Sequence, residues 1–185
     1  TSTNTTATID KKALAVTITA SNKTYDRTTS ASVTYLDDRI TGDVLTVSGT
    51  ATFASKTYGV GKTVTASSIS LAGTDAGNYT LTPLVLTAAI TPAPLTVSAD
   101  NKTKTYDGTR DLSASQVSIQ TGIANETLTA SGAQASDANV ATVGKSIASL
   151  TLADGSGQAS NYQLPTLDST TAPVTITPKT VSMTA

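Results

Sequence analysis

Residues 14–26, "LAVTITASNKTYD", and residues 95–107, "LTVSADNKTKTYD", carry the same pattern 81 positions apart. Leu14, Val16 and Ile18 alternate with Ala15, Thr17 and Thr19, and Leu95, Val97 and Ala99 repeat the alternation. A period of two predicts a strand with one buried face, ended in each case by a polar turn. Further pairs recur in the same order: "DVLTVSG" (43–49) with "ETLTASG" (126–132), "VGKTV" (60–64) with "VGKSI" (143–147), and "GNYTL" (77–81) with "SNYQL" (160–164). The offset drifts by a few residues only between motifs, where loops absorb insertions. The chain therefore reads as a tandem duplication of a unit of about 80 to 86 residues.

The ends extend the register, because "IDKKALAVT" from Ile9, "ITPAPLTVS" from Ile90 and "ITPKTVSMT" from Ile176 are versions of one phrase. The expected organisation is the end of a preceding repeat at 1–10, a first repeat at 11–92, a second at 93–178 and the start of a following repeat at 179–185. Such a register is that of a piece of a longer array.

Composition narrows the class. With no Trp, one Phe, one Met and six Tyr among 185 residues, aromatic rings supply little of the core, and Val, Leu, Ile and Ala must fill it. Abundant Thr and Val with persistent alternation predict a soluble β-protein rather than a disordered tail. The absence of Cys removes disulfides and thiolate metal sites. A formal net charge of −1 argues against nucleic acid, which requires a basic stripe. No apolar run reaches membrane-spanning length, and no signal-peptide pattern is visible.

The expected fold is all-β: two tandem antiparallel domains, an immunoglobulin-like sandwich favoured and a β-grasp-like sheet as the alternative. A long strand pair runs through "VLTVSGTATFA" to Phe53 and through "KTVTASSISLA" from Lys62 to Ala72, with Gly59 and Gly61 supplying the turn. "NYTLTPLVLTAAI" closes the unit, Pro83 marking an edge or bulge. Any helix is expected to be short. Pro92 and Pro94 stiffen the junction, so the pair is expected to behave as a semi-rigid rod. At about 3.3 Å per residue, strands of about ten residues give each unit an axis of roughly 30 to 40 Å.

"KTYDRT", "KTYDGT", "GDVLTVSGTATFA", "VGKTV", "ISLAGTDAGNYTL" and the terminal "ITP" resemble the YDG and MBG tandem repeats of bacterial surface and secreted proteins, including filamentous-haemagglutinin-like adhesins. The departures are Arg27 where Gly108 carries the family's glycine, and the looser "ASLTLADGSGQASNYQL" of the second unit. The resemblance implies an extracellular, surface-bound or secreted stalk or adhesive module, with no catalytic residues and no cofactor. The expected partners are neighbouring repeats, with exopolysaccharide or host glycoprotein, or homotypic cell–cell or biofilm association, as alternatives, and this stretch is expected to be monomeric.

Tyr25, Asp26, Tyr106 and Asp107 are the candidate binding residues, since Tyr beside carboxylate suits a sugar or protein partner. The structural alternative places Tyr at the core edge and has Asp cap its turn. Asn78-Tyr79 and Asn161-Tyr162 are expected to start strands. Lys62 and Lys145 recur in "VGK", which raises an isopeptide bond with Asn78 or Asn161 against the simpler expectation of a solvated lysine at a strand start. Asp37, Asp38, Asp75, Asp100 and "ADGSG" (153–157) offer oxygen atoms but not the spacing of a calcium loop, so no metal is expected. The Asn-X-Thr triplets at Asn22, Asn78, Asn101 and Asn125 are read as turn chemistry. Without His or Cys, and with Asp37 and Asp38 facing opposite ways, acid–base or triad catalysis has no parts.

Overall fold

In a computed structural model the structure describes residues 6–81, 85–99 and 103–183. The chain divides between Thr91 and Pro92 into two compact units. Pro83, Asp100 and Asn101 lie outside the described residues.

The first unit contains β1 (Lys12–Leu14), β2 (Val16–Ala20), β3 (Lys23–Thr24), β4 (Val33–Asp37), β5 (Thr46–Phe53), β6 (Gly59–Ala72), β7 (Tyr79–Leu81) and β8 (Val85–Thr91). The alternation that begins at Leu14 becomes β1 and β2, with Leu14 and Ile18 buried. β2 runs antiparallel to β4, Val16 opposite Asp37 and Ala20 opposite Val33. The long pair is the β5–β6 hairpin, from Thr46 opposite Ala72 to Phe53 opposite Val64, with an irregularity between Ser48 and Thr50. β6 also pairs antiparallel with β8, which completes a four-stranded sheet ordered β3-β8-β6-β5. The hairpin turn lies before Gly59, and Gly61, at φ +59°, forms an irregularity inside β6 instead of the turn.

Short parallel pairs join the start of the unit to its end: β1 to β7, and β3 to β8 with Lys23 opposite Ile90. These lie beside the antiparallel pairs expected from the sequence. Leu14, Leu45 and Tyr79 form a buried cluster, with Val16, Val47, Leu71 and Leu81 packed on it. Val64 and Ile90 are fully enclosed, and burial of such a side chain contributes about 1.5–3 kcal/mol.

The second unit repeats the plan with β9 (Ala93–Pro94), β10 (Thr96–Ser98), β11 (Lys104–Thr105), β12 (Ser118–Gln120), β13 (Leu128–Ala135), β14 (Ile147–Asp154), β15 (Tyr162–Gln163) and β16 (Ile176–Thr177). β10 pairs antiparallel with β12, and β13 with β14. β9 pairs parallel with β15, and β11 with β16. Val97, Ala135, Ile147 and Ala172 are fully or almost fully enclosed. The helical content of the described residues is three single 3₁₀ turns, at Ala76–Asn78, Ala114–Gln116 and Ala159–Asn161. Ala93 and Pro94, expected as linker, belong to β9, so Pro92 is the residue between the last strand of one unit and the first of the next.

Candidate functional site

The twice-used phrase is built on the parallel pairing of a short early strand with the last strand of the unit. Lys23 and Thr24 form β3 against β8, and the Tyr25 amide extends the ladder by donating to the Thr91 carbonyl at 2.9 Å. In the second unit Lys104 and Thr105 pair with Ile176 and Thr177, and the Tyr106 amide donates to the Thr177 carbonyl at 2.8 Å. The next residue turns the chain. Asp26 Oδ1 accepts from the Thr28 amide at 2.8 Å and from Thr28 Oγ1 at 2.9 Å. Asp107 Oδ1 accepts from the Thr109 amide and Thr109 Oγ1, both at 2.9 Å. This is a side-chain-held turn, and its middle residue takes left-handed φ: +67° at Arg27 and +82° at Gly108.

The lysine that opens the phrase closes the turn. Lys104 Nζ donates to Asp107 Oδ2 at 2.7 Å, to Thr109 Oγ1 at 3.1 Å and to the Asp111 carbonyl at 2.7 Å. Three ammonium hydrogens meet three acceptors, which is the condition for keeping a lysine as buried as Lys104. Lys23 Nζ does the same with Asp26 Oδ1 at 2.7 Å, the Thr28 carbonyl at 2.9 Å and Thr28 Oγ1 at 2.8 Å, and also lies 5.6 Å from the Phe53 ring centre. The bond from Lys104 and the two from Thr109 hold the Asp107 carboxyl down at about 2. Partial burial raises the Asp26 carboxyl, but Lys23 and Thr28 together outweigh it and leave it below the ordinary range.

A second recurring contact joins two of the other repeated motifs, the one headed by Asp43 or Glu126 and the one holding Tyr79 or Tyr162. Tyr79 Oη donates to Asp43 Oδ2 at 2.5 Å and accepts from the Ile40 amide at 3.0 Å. Tyr162 Oη donates to Glu126 Oε2. Each acid stands shortly before the long hairpin and each tyrosine opens a strand after a 3₁₀ turn, so one bond ties the two ends of the hairpin region together. The Asp43 bond raises the Tyr79 phenol above its usual value.

The family model for the YDG domain matches residues 10–86 and again residues 91–181. The chain belongs to the YDG domain family, as two tandem copies. No curated protein and no solved structure matches it.

In both YDG units the predicted site residues Tyr25 with Asp26, and Tyr106 with Asp107, are neighbours in sequence but have different environments. The Asp carboxylates are engaged in the turns described above. Tyr25 is buried, 4% exposed, whereas Tyr106 is 39% exposed beside Val140, Pro178, Lys179 and Val181. The hub residues Lys23 and Lys104 were missed as sites in the sequence reading, although they recur inside the quoted phrase. Asp43 and Glu126 were missed too, and their signal was the acid heading both "DVLTVSG" and "ETLTASG".

Lys145 corrects an expectation. It is buried rather than solvated, because the loop before β14 folds its Val140 and Thr142 carbonyls onto Nζ, the first at 3.1 Å. Lys62 sits inside β6 rather than at its start and donates to Ser55 Oγ at 2.5 Å. Both ammonium groups are thus held by their own hairpin turns. Asp37 pairs with Arg39 and Asp38 with Lys12, each at 2.6 Å, so the adjacent carboxylates diverge. Asp75 accepts from the Val44 amide at 2.8 Å, a bond across 31 residues of chain, and Asp154 accepts from the Ala159 amide at 2.7 Å, five residues on. Among the described residues no group of three or more His, Cys, Asp or Glu is arranged to hold a metal ion. Asn78 ends a 3₁₀ turn and Asn125 takes φ +63°, in keeping with turn chemistry, whereas Asn22 Oδ1 accepts from the Ala89 amide of β8 at 2.8 Å, a long-range bond rather than a turn.

Proposed function

We propose that the two YDG units are non-catalytic spacer segments of a bacterial cell-surface or secreted adhesin, which carry a distal adhesive region away from the cell. The observation that supports this reading is where the recurring polar residues direct their bonds. Lys23 and Lys104, Asp26 and Asp107, Tyr79 and Tyr162, and Asp43 and Glu126 bond to one another or to nearby backbone and threonine hydroxyls. What the duplication preserves is therefore a way of closing each unit, as expected where the unit itself is the product. The parallel seam of β3 with β8 and of β11 with β16 also suits a stalk, since it fastens the last strand, by which the chain leaves a unit, to a strand near that unit's start.

The test is adhesion by cells displaying the parent protein. Removing two YDG units should reduce adhesion, and replacing them with unrelated β-units of equal length should restore it. Failure of such a replacement to restore adhesion would refute the spacer reading. The exposure of Tyr106 favours a second reading, recognition of a polysaccharide or glycoprotein by the turn. That reading requires saturable binding by the immobilised chain that is lost in a still-folded Tyr106→Ala variant.

A further inference from the structure

We propose that the groove between β10 and residues 165–173 binds an extended, uncharged segment of another polypeptide, which adds a strand beside Leu95–Ser98. The groove lies wholly within the second unit, and the inference goes beyond the spacer reading without depending on it. β9 pairs parallel with β15, Ala93 opposite Tyr162 and Pro94 opposite Gln163. The Leu95 amide carries that ladder one step further by donating to the Gln163 carbonyl at 3.0 Å. In a parallel ladder of this register the next bond runs to the Leu95 carbonyl from the amide of residue 165. Residue 165 is a proline and has no N–H, so the ladder stops there. In the first unit, whose sequence has Thr82 at that place, the same pairing runs one residue longer, with Leu14 opposite Leu81.

The interrupted ladder leaves a strand edge. Backbone groups on one edge recur every second residue, so the Val97 N–H and C=O point the same way as those of Leu95, while Thr96 and Ser98 point towards Gln120 and Ser118 of β12. The first unit has the same phase, with Ala15 and Ser21 bonded across to Asp38 and Ser32. Among the described residues nothing bonds to the Leu95 carbonyl or to either backbone group of Val97. Leu95 and Val97 are 4% and 0% exposed, and a backbone group so placed costs free energy unless water or a partner meets it. Pro165, Thr170, Thr171 and Pro173 stand opposite, across a groove of about 410 Å³. Their loop bonds to itself and offers β10 no strand: Asp168 Oδ1 accepts from the Thr170 and Thr171 amides, both at 2.8 Å, and the Asp168 carbonyl from the Ala172 amide at 2.9 Å. No charged side chain lines the groove, so a charged residue entering it loses water without gaining a partner. Donor and acceptor groups two residues, or about 7 Å, apart match the repeat of another extended chain, and Leu95–Ser98 spans about 13 Å, the reach of a short peptide.

The test titrates the whole isotope-labelled chain with synthetic pentapeptides, capped at both ends, in which Val or Ala alternates with Thr or Ser. Amide shifts and hydrogen exchange at Val97 are the readout. The expected result is saturable shifts centred on Val97, with its exchange slowed at least about tenfold. N-methylation of alternate peptide residues should abolish binding in the phase that faces β10 and spare it in the other phase. Thr170→Trp fills the groove from its exposed wall while keeping the amide that bonds Asp168. It should weaken binding at least about tenfold and leave the melting of the second unit in place. The proposal is overturned if no peptide of the set shifts Val97, if both N-methylated phases bind alike, or if Thr170→Trp binds as the wild type does. It is also overturned if cellulose- or xylan-derived oligosaccharides shift Val97 where peptides do not, or if Val97 becomes protected with rising protein concentration alone, which would make the occupant a second copy.

Discussion

Replacing Lys104 by Met removes the ammonium from the clasp while keeping most of the buried stem. The Lys104 side chain is 6% exposed and makes three short bonds, one of them to a carboxylate. A hydrogen bond to a charged group contributes about 1.5–3 kcal/mol net, and bonds that share one donor are not additive. Asp107, at 53% exposed, is rehydrated when its partner leaves, which limits the loss. The expected cost to the second unit is therefore about 2–3 kcal/mol, or roughly 10 to 20 °C of melting temperature for a domain of this size. Lys23→Met should cost about half as much in the first unit, because its side chain is 18% exposed and its three acceptors come from two residues only. Calorimetry, with amide signals assigning each transition to its unit, measures both. The acid limb gives a further check. Asp107 has its carboxyl lowered from 3.8 to about 2, so its contribution is complete above about pH 4 and is lost as pH falls towards 2. Asp107→Asn should remove that part of the acid sensitivity. A Lys104→Met chain whose second unit melts within about 2 °C of the wild type, on the same scale, would refute the clasp.

Two glycines should respond differently to alanine. At Gly73, φ is +119° and a Cβ would lie 2.4 Å from the Val44 carbonyl oxygen, so Gly73→Ala should destabilise the first unit by about 3 kcal/mol or more in urea unfolding. At Gly108 a Cβ meets nothing within 4 Å, and Gly108→Ala should cost only the left-handed backbone penalty of about 1 kcal/mol. Tyr79→Phe removes the bond to Asp43 and should cost about 1 kcal/mol in the same measurement, with the fold retained. Val64→Ala, at a fully enclosed position, should cost about 2 kcal/mol or more.

The all-β class, the duplication and the β5–β6 hairpin were legible because they are written in local alternation and in repeated phrases. Phe53 and Val64, which face each other across that hairpin, are both apolar residues within alternating runs. The parallel seam was not legible. β3 and β11 are two residues long, and a period of two does not say which distant strand will be the partner. Pro94 read as linker for the same reason, since a two-residue strand leaves too little pattern to outweigh a proline. The lysine clasp stayed hidden because lysine is ordinarily solvated, and burying it requires acceptors that the turn delivers three to seven residues later. Identical phrases could not show that Tyr25 is buried and Tyr106 exposed, because that difference arises outside the phrase.

Native-state hydrogen exchange at the Tyr25, Thr28, Tyr106 and Thr109 amides tests most directly whether the signature phrase is architecture. Those amides donate to Thr91, Asp26, Thr177 and Asp107, and the account predicts that they open only when their unit unfolds. Exchange at the rate of an open loop, while the β5–β6 and β13–β14 amides stay protected, would contradict it and make the phrase a mobile surface free for recognition.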